Sequence, residues 1–349
     1  MLDVFGTDMT CVDLNVVIPE MPERNTGTRV QDLSWQGGGK VSTGICACAR
    51  LLESGAAEAA DDGADTGVPG TDVRTLAPRC AWAGALGDDA YGKFLYKDFQ
   101  DHGLDLSGVK IRAGQTTSLD VVVSEKNYST RSLLFRAGTA EMLAPDEVDW
   151  ELLKQAKYFF ISGFGPVVEE GIRIARENGV KIFVDADGDS PELREHVKDI
   201  DIFIGSEFVF DAFFPGAKWK GLDDLQEELE RVRAQGPEIV VFTFGELGCV
   251  GLSEKGYFRV PAFKVDVVDT VGAGDVFHGA FLAGLIEGKS AKDCAVMASA
   301  TSAIKCTRIG GRSGIPNRQV LAHFLETGEI DYEEIDERVN YYRRAIDYV

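Results

Sequence analysis

Apolar and polar positions change period repeatedly along the chain, and the changes predict an alternation of strands and helices. Residues 2–6 form a short apolar run, and residues 12–18 and about 28–35 are two further extended runs separated by the turn-rich Pro19–Gly27. Gly37-Gly38-Gly39 then leads into a small-residue helix over 42–52, with Ile45, Ala49 and Leu52 at helical spacing. A strand over 81–86, the turn Gly87-Asp88-Asp89 and a helix over 91–102 come next. Residues 119–123 and 131–135 bracket 124–130 as a β-hairpin. From Trp150 the pattern is regular: a helix, strand 158–162, helix 167–178, strands 181–185 and 202–204, helix 222–234, strand 239–243 and a hairpin over 249–260. Strands spaced by helices of about three turns predict an α/β fold with a mostly parallel central sheet and helices on both faces. The two early extended runs and the 119–135 hairpin stand outside that alternation and predict a small separate sheet.

Two stretches differ from the rest. Residues 53–76 are rich in Ala, Asp, Gly and Thr and nearly free of large apolar side chains, so a mobile acidic loop insertion is expected there. After about residue 326 the chain becomes an acidic, Tyr-rich tail with an amphipathic helical stretch over 333–346.

Composition narrows the function classes. The 349 residues carry a formal net charge of -21. A surface that acidic repels nucleic-acid backbones and anionic lipids, so neither is an expected partner. No apolar run is long enough to span a bilayer, and the N-terminus lacks a basic region before an apolar stretch. The seven cysteines (11, 46, 48, 80, 249, 294 and 306) have irregular spacing and form no C-x-x-C pair. They are expected to be reduced, mostly buried thiols in a cytoplasmic protein.

The candidate chemistry concentrates in Val267-Val268-Asp269-Thr270-Val271-Gly272-Ala273-Gly274-Asp275, which runs straight into an apolar helical stretch over 276–285. The first turn of a helix has unpartnered N–H groups backed by the positive end of the helix dipole. Glycines there let a phosphate approach the backbone. An Asp at the lip can take the proton of an attacking hydroxyl while the N–H groups hold the phosphoryl being transferred. The plain alternative is an N-terminal cap with Asp275 as capping residue. Gly37-Gly38-Gly39-Lys40-Val41 does not make a P-loop, and Gly272-Ala273-Gly274 followed by Phe277 does not make a dinucleotide fingerprint.

Four motifs in register over about residues 2–320 resemble the PfkB, or ribokinase-like, carbohydrate kinases: Gly38-Gly39, the segment Ala83–Gly92, Thr243-Phe244-Gly245-Glu246-Leu247-Gly248 and Asp269–Asp275. Residues 261–266, His278, Lys305-Cys306-Thr307-Arg308 and Gly310–Pro316 further resemble the sulfofructose kinase branch, whereas Lys40-Val41-Ser42 and the text around Leu134-Phe135-Arg136 depart from it. The resemblance implies a ribokinase-like kinase domain over 1–325. Its β lid would be drawn from about 13–35 and 112–137, followed by the 326–349 tail.

The same resemblance implies roles for individual residues. Asp275 would be the catalytic base, with Gly272, Ala273 and Gly274 as the anion hole. Asp13, Gly38, Gly39 and Thr43 would meet the sugar, and Lys40 and Arg136, with Arg131 behind them, would be candidates for an anionic end such as a sulfonate or phosphate. Ser206, Thr243, Gly245 and Gly248 would line ATP. The family's magnesium motif should fall near Ser206, where both marked positions are changed, so Glu207 or Asp211 would act through water. Asp269 and the Val271 carbonyl, with the loop 310–313, would offer a potassium site. The expected reaction is ATP- and Mg2+-dependent phosphorylation of a sugar hydroxyl by a homodimer paired through the lid. The alternatives are a nucleoside kinase of the same fold and a non-catalytic ligand sensor.

Overall fold

The structure is a computed structural model that describes residues 2–53, 79–128, 130–219, 221–222 and 224–348. Most of the predicted acidic insertion therefore lies outside the described residues.

The strands are β1 (Val4–Thr7), β2 (Cys11–Ile18), β3 (Asp32–Gly37), β4 (Cys80–Ala83), β5 (Ala85–Gly87), β6 (Lys110–Arg112), β7 (Ser118–Glu125), β8 (Thr130–Arg136), β9 (Tyr158–Ile161), β10 (Lys181–Ala186), β11 (Ile202–Ser206), β12 (Ile239–Thr243), β13 (Cys249–Ser253) and β14 (Gly256–Val260). The helices are α1 (Lys40–Glu53), α2 (Ala90–Asp101), α3 (Trp150–Lys154), α4 (Pro166–Asn178), α5 (Pro191–His196), α6 (Glu207–Phe213), α7 (Gln226–Arg233), α8 (Ala273–Ile286), α9 (Ala291–Cys306), α10 (Arg318–Thr327) and α11 (Glu333–Tyr342).

Eight strands form the central sheet in the order β14-β13-β12-β11-β10-β9-β1-β4. The pairs from β4 to β12 are parallel, and β13 and β14 close one edge antiparallel. Parallel strands covered on both faces need apolar side chains on both. In β9, Phe159 enters one core layer and Phe160 the other. The layer holding Phe160 packs against α1, α8 and α9, and the layer holding Phe159 against α3, α4 and α7.

The runs that did not fit the alternation form their own four-stranded sheet, β3-β2-β7-β8, as the pattern predicted. In it β2 and β7 run parallel, each with an antiparallel neighbour outside it.

Two predicted elements are corrected. The strand over 81–86 is two strands: β4 joins the central sheet, while β5 pairs with β6. They part at Gly84, where a Cβ would lie 2.1 Å from the Trp82 indole. The helix over 222–234 starts only at Gln226, because Leu222 (φ 50°) and Asp224 (φ 42°) hold the chain in the left-handed region. At the other end, α11 docks on the domain through buried Ile335, Val339 and Tyr342 and an Arg50–Glu334 ion pair.

Candidate active site

Two helix N-termini converge at the site, and glycines bring them together. A Cβ on Gly279 of α8 would lie 1.9 Å from the Gly44 carbonyl of α1, so the two helices cross in backbone contact. That crossing sets the start of α1, with Gly38 and Gly39 before it, beside the start of α8. At α8 the cap is Gly272, held at φ 71°, and a Cβ there would lie 2.8 Å from Gly311. Asp275 is the third residue of the helix rather than its cap, so the capping alternative does not hold.

Asp275 sits among other carboxylates. Burial, and then the neighbouring Asp185, raise its carboxyl well above the ordinary range, while Lys40 opposes the shift. Lys40 pairs with Asp187 at 2.8 Å. Asp185 and Asp187 come from the C-terminal end of β10 and its following turn, and Asp185 is 2% exposed. Asp185 Oδ2 is a buried oxygen with no hydrogen-bond partner among the described residues. His278 faces the Gly274 carbonyl through Nδ1 (2.6 Å) and Asp185 Oδ1 through Nε2 (3.4 Å). Asp8, in the β1–β2 turn, accepts from Trp82 Nε1 (2.8 Å) and from the Ser42 amide (3.2 Å) in the first turn of α1. Its burial lifts the carboxyl to about 6.

Asp8, Asp185 and Asp187 were missed in the sequence. A signal existed for two of them, since open parallel sheets gather ligands at the carboxyl ends of their strands and Asp185-Ala186-Asp187 is such an end.

On the other wall, Gly38 leaves room for Asp13, whose carboxylate oxygens lie 2.4 and 2.6 Å from where a Gly38 Cβ would be. The Cys11 thiol lies 3.3 Å from both Asp13 Oδ1 and Asp120 Oδ2. Thr43 is buried, and its hydroxyl accepts from Arg312 Nε at 3.4 Å. Cross-strand register pairs Asp13 with Asp120 and Asp120 with Phe135, and pairs Leu119 with Arg136. Side chains alternate across a sheet, so Arg136 stands on the face opposite Asp13. Arg131 shares the Asp13 face, and its Nη1 donates to Thr270 Oγ1 at 3.1 Å, joining the four-stranded sheet to the loop before α8.

Ser206 and Thr243 stand side by side at the ends of β11 and β12, with Gly245 and Gly248 following and Glu207 opening α6. The Ser206 hydroxyl is buried and unpartnered among the described residues. Asp269 spends both carboxylate oxygens on backbone amides, Val271 (3.0 Å) and Gly310 (2.8 Å), which makes it a brace for the loop. The fully buried Lys305 donates to the Asp269 carbonyl at 2.9 Å.

Residues 1–318 match the family described as pfkB family carbohydrate kinase. The chain belongs to that family. As a carbohydrate kinase it is 27% identical over 279 residues to fructokinase-1 of Zea mays, covering 73% of this chain and 85% of the relative. It is 27% identical over 281 residues to 5-dehydro-2-deoxygluconokinase of Clostridium perfringens, with 74% and 82% covered. Among solved structures, Arabidopsis thaliana ribokinase complexed with ribose and ATP superposes with TM-score 0.73 at 20% identity, over 93% of this chain and 99% of that one. An E. coli structure described as a ribokinase II with ATP and Mg2+ gives 0.73 at 22% identity, with 93% and 99% covered. The ribokinase-like fold and an ATP-dependent sugar kinase are thereby shown. No helix among the described residues is long and apolar enough to cross a membrane.

Proposed function

We propose that this kinase transfers the γ-phosphoryl of ATP to a hydroxyl of an uncharged sugar, with Asp275 as general base. The observation that supports the reading is the crossing of α1 and α8, which brings Gly38 and Gly39 at the start of α1 beside the Gly272–Asp275 turn. Asp13 accepts hydrogen bonds from the sugar, Asp275 takes the proton of the attacking hydroxyl, and the amides of Gly272, Ala273 and Gly274 hold the phosphoryl oxygens as charge moves onto them. Ser206, Thr243, Gly245 and Gly248 border the nucleotide.

Magnesium fits the donor set. Asp185 offers an oxygen unpartnered among the described residues and feels the charge of the nearby Asp187, with Glu207 the further carboxylate the sequence suggested. When bound, the ion would neutralise phosphate charge.

Potassium is the finer cation expectation, and Lys305 already sets an ammonium on the Asp269 carbonyl. Exchanging potassium for choline in the assay separates the two sources of charge: a change under about twofold assigns it to Lys305, and a loss above about tenfold to a bound ion.

The anionic end implied by likeness to the sulfofructose kinase branch would need Lys40 and Arg136. Lys40 is held by Asp187, and Arg136 faces away from Asp13. We also propose a dimer paired through the lid, where Leu133, Leu134 and Phe135 are exposed. A monomer by light scattering at micromolar concentration would remove it.

The decisive test is Asp275→Asn in an ATP-consumption assay with magnesium and a panel of ketoses and aldoses. Turnover should fall by about two to four powers of ten with the fold intact. Full turnover in a folded Asp275→Asn protein would end the reading.

A further inference from the structure

We propose that Asp120 is a second sugar-binding carboxylate, and that with Asp13 it forms a clamp selecting an uncharged sugar end that presents two hydroxyl donors. This rests on the kinase reading above.

The argument starts from register. Asp13 on β2 and Asp120 on β7 are directly paired, so their side chains leave the lid on one face and next to one another. One oxygen from each, together with the Cys11 sulfur, lies within 4.8 Å of the others. Once both are ionised, two carboxylates this close offer acceptors only, and each needs donors. Among the described residues, the one donor between them is the Cys11 thiol, 3.3 Å from both. A thiol has a single hydrogen, so it serves one carboxylate at a time and leaves the other short of a donor. Neighbouring backbone does not supply it: the Gly38 amide donates to the Cys11 carbonyl at 2.8 Å. Asp13 is 8% exposed and lies against Gly38, while Asp120 is only half-buried, so the pair stays reachable through Asp120, where the sugar would enter.

Charge then decides what the clamp accepts. Neighbouring hydroxyls of one sugar can each donate to one carboxylate, which relieves the missing donors without adding charge. A phosphate or sulfonate brought to the same place would meet two like charges once both carboxyls are ionised. Arg131 is on this lid face, but it pairs at Ser124, four positions along β7 from Asp120, or about 13 Å along the strand. Its guanidinium is turned to Thr270 at the phosphoryl end. Phe135, opposite Asp120 and 75% exposed, offers a ring beside the pair rather than a cation.

The experiment uses the full chain and two readouts. Turnover with Mg-ATP is measured on free ketoses and aldoses and on the same sugars carrying a 6-phosphate or 6-sulfonate, and sugar binding without ATP is measured by calorimetry. The wild type should prefer the uncharged form by at least about tenfold in kcat/KM. Asp120→Asn should raise sugar KM and the calorimetric Kd about tenfold or more, with the KM for ATP unchanged. Asp120→Ser, checked with its partner variant by thermal melting, guards against a folding defect in either. Preference for an anionic sugar, or Asp120→Asn and Asp120→Ser proteins that are folded and bind sugar like the wild type, overturns the clamp and leaves the kinase reading standing. Sugar binding that depends on Asp120 without any turnover supports the clamp and sinks the kinase reading. Failure of the wild type to bind any uncharged sugar overturns the clamp.

Discussion

A general base must lose its proton before it can accept another, and the surroundings of Asp275 resist that loss. Burial and Asp185 both raise its carboxyl, and Lys40 is the opposing charge. The acid limb of kcat/KM should therefore lie well above the ordinary carboxylate range, with activity gained as pH rises. Removing the positive charge in Lys40→Met should push that limb to higher pH, and removing the negative charge in Asp185→Asn should pull it lower, whatever each does to the plateau. Limbs that stay in place in both variants would mean that another group sets the profile. Asp13 behaves similarly at the sugar: burial first, then Asp120, lift it to about 7, against the Cys11 hydrogen bond that lowers it. Its anionic form is the better acceptor, so sugar KM should fall as pH rises through about 7. Asp120→Asn removes a like charge and should move that inflection to lower pH.

Among the elements, the crossing of α1 and α8 bears most on the reaction, and it depends on two residues without side chains. In Gly279→Ala the new methyl meets the Gly44 carbonyl, which is backbone and cannot swing aside. Overpacking of this kind costs about 1–3 kcal/mol, and forcing the helices apart would also separate the sugar wall from Asp275. The variant should melt lower and lose kcat by more than tenfold, while ATP binding, which we propose at β11–β13, changes little. Unchanged kcat in a protein that melts lower would show that the cleft tolerates the spread.

This scale also explains what could be read in advance. Gly272-Ala273-Gly274-Asp275 was legible because a glycine turn opening a helix is a local pattern. The lid was legible as extended runs that failed to alternate with helices. Asp120 was not, because its place beside Asp13 comes from pairing strands more than a hundred residues apart in the chain. Arg136 was preferred to Arg131 because text alone does not give the face on which a lid residue stands, and one step along β8 reverses it.

For the whole molecule, the family match ends at residue 318, yet the chain beyond it is wired to Gly38, on the wall proposed to meet the sugar. The link runs through a buried charge cluster. Tyr342 of α11 donates to Asp98 Oδ1 at 2.6 Å, and the other Asp98 oxygen accepts from Arg312 Nη1. Arg312 is fully buried and reaches the Gly38 carbonyl (3.1 Å), and its own amide donates to Gln36 at 2.6 Å. Burial holds His102 down to about 3, so this ring stays neutral and Asp98 must balance Arg312. Burial works against that carboxylate, but Arg312 and its hydrogen bonds hold it below the usual range. Tyr342→Phe keeps the ring and its packing and deletes one hydrogen bond to a buried charge, a loss of about 1–3 kcal/mol. The thermal midpoint should drop by a few degrees. Because Arg312 also holds Gly38, sugar KM should rise several-fold with the ATP KM unchanged, and the rise should be largest where Gly38 faces Asp13. A lower midpoint with sugar KM unmoved would make α11 a strap for the fold alone. A raised sugar KM with ATP unaffected would show that residues outside the family's matched span help set the shape of its sugar site.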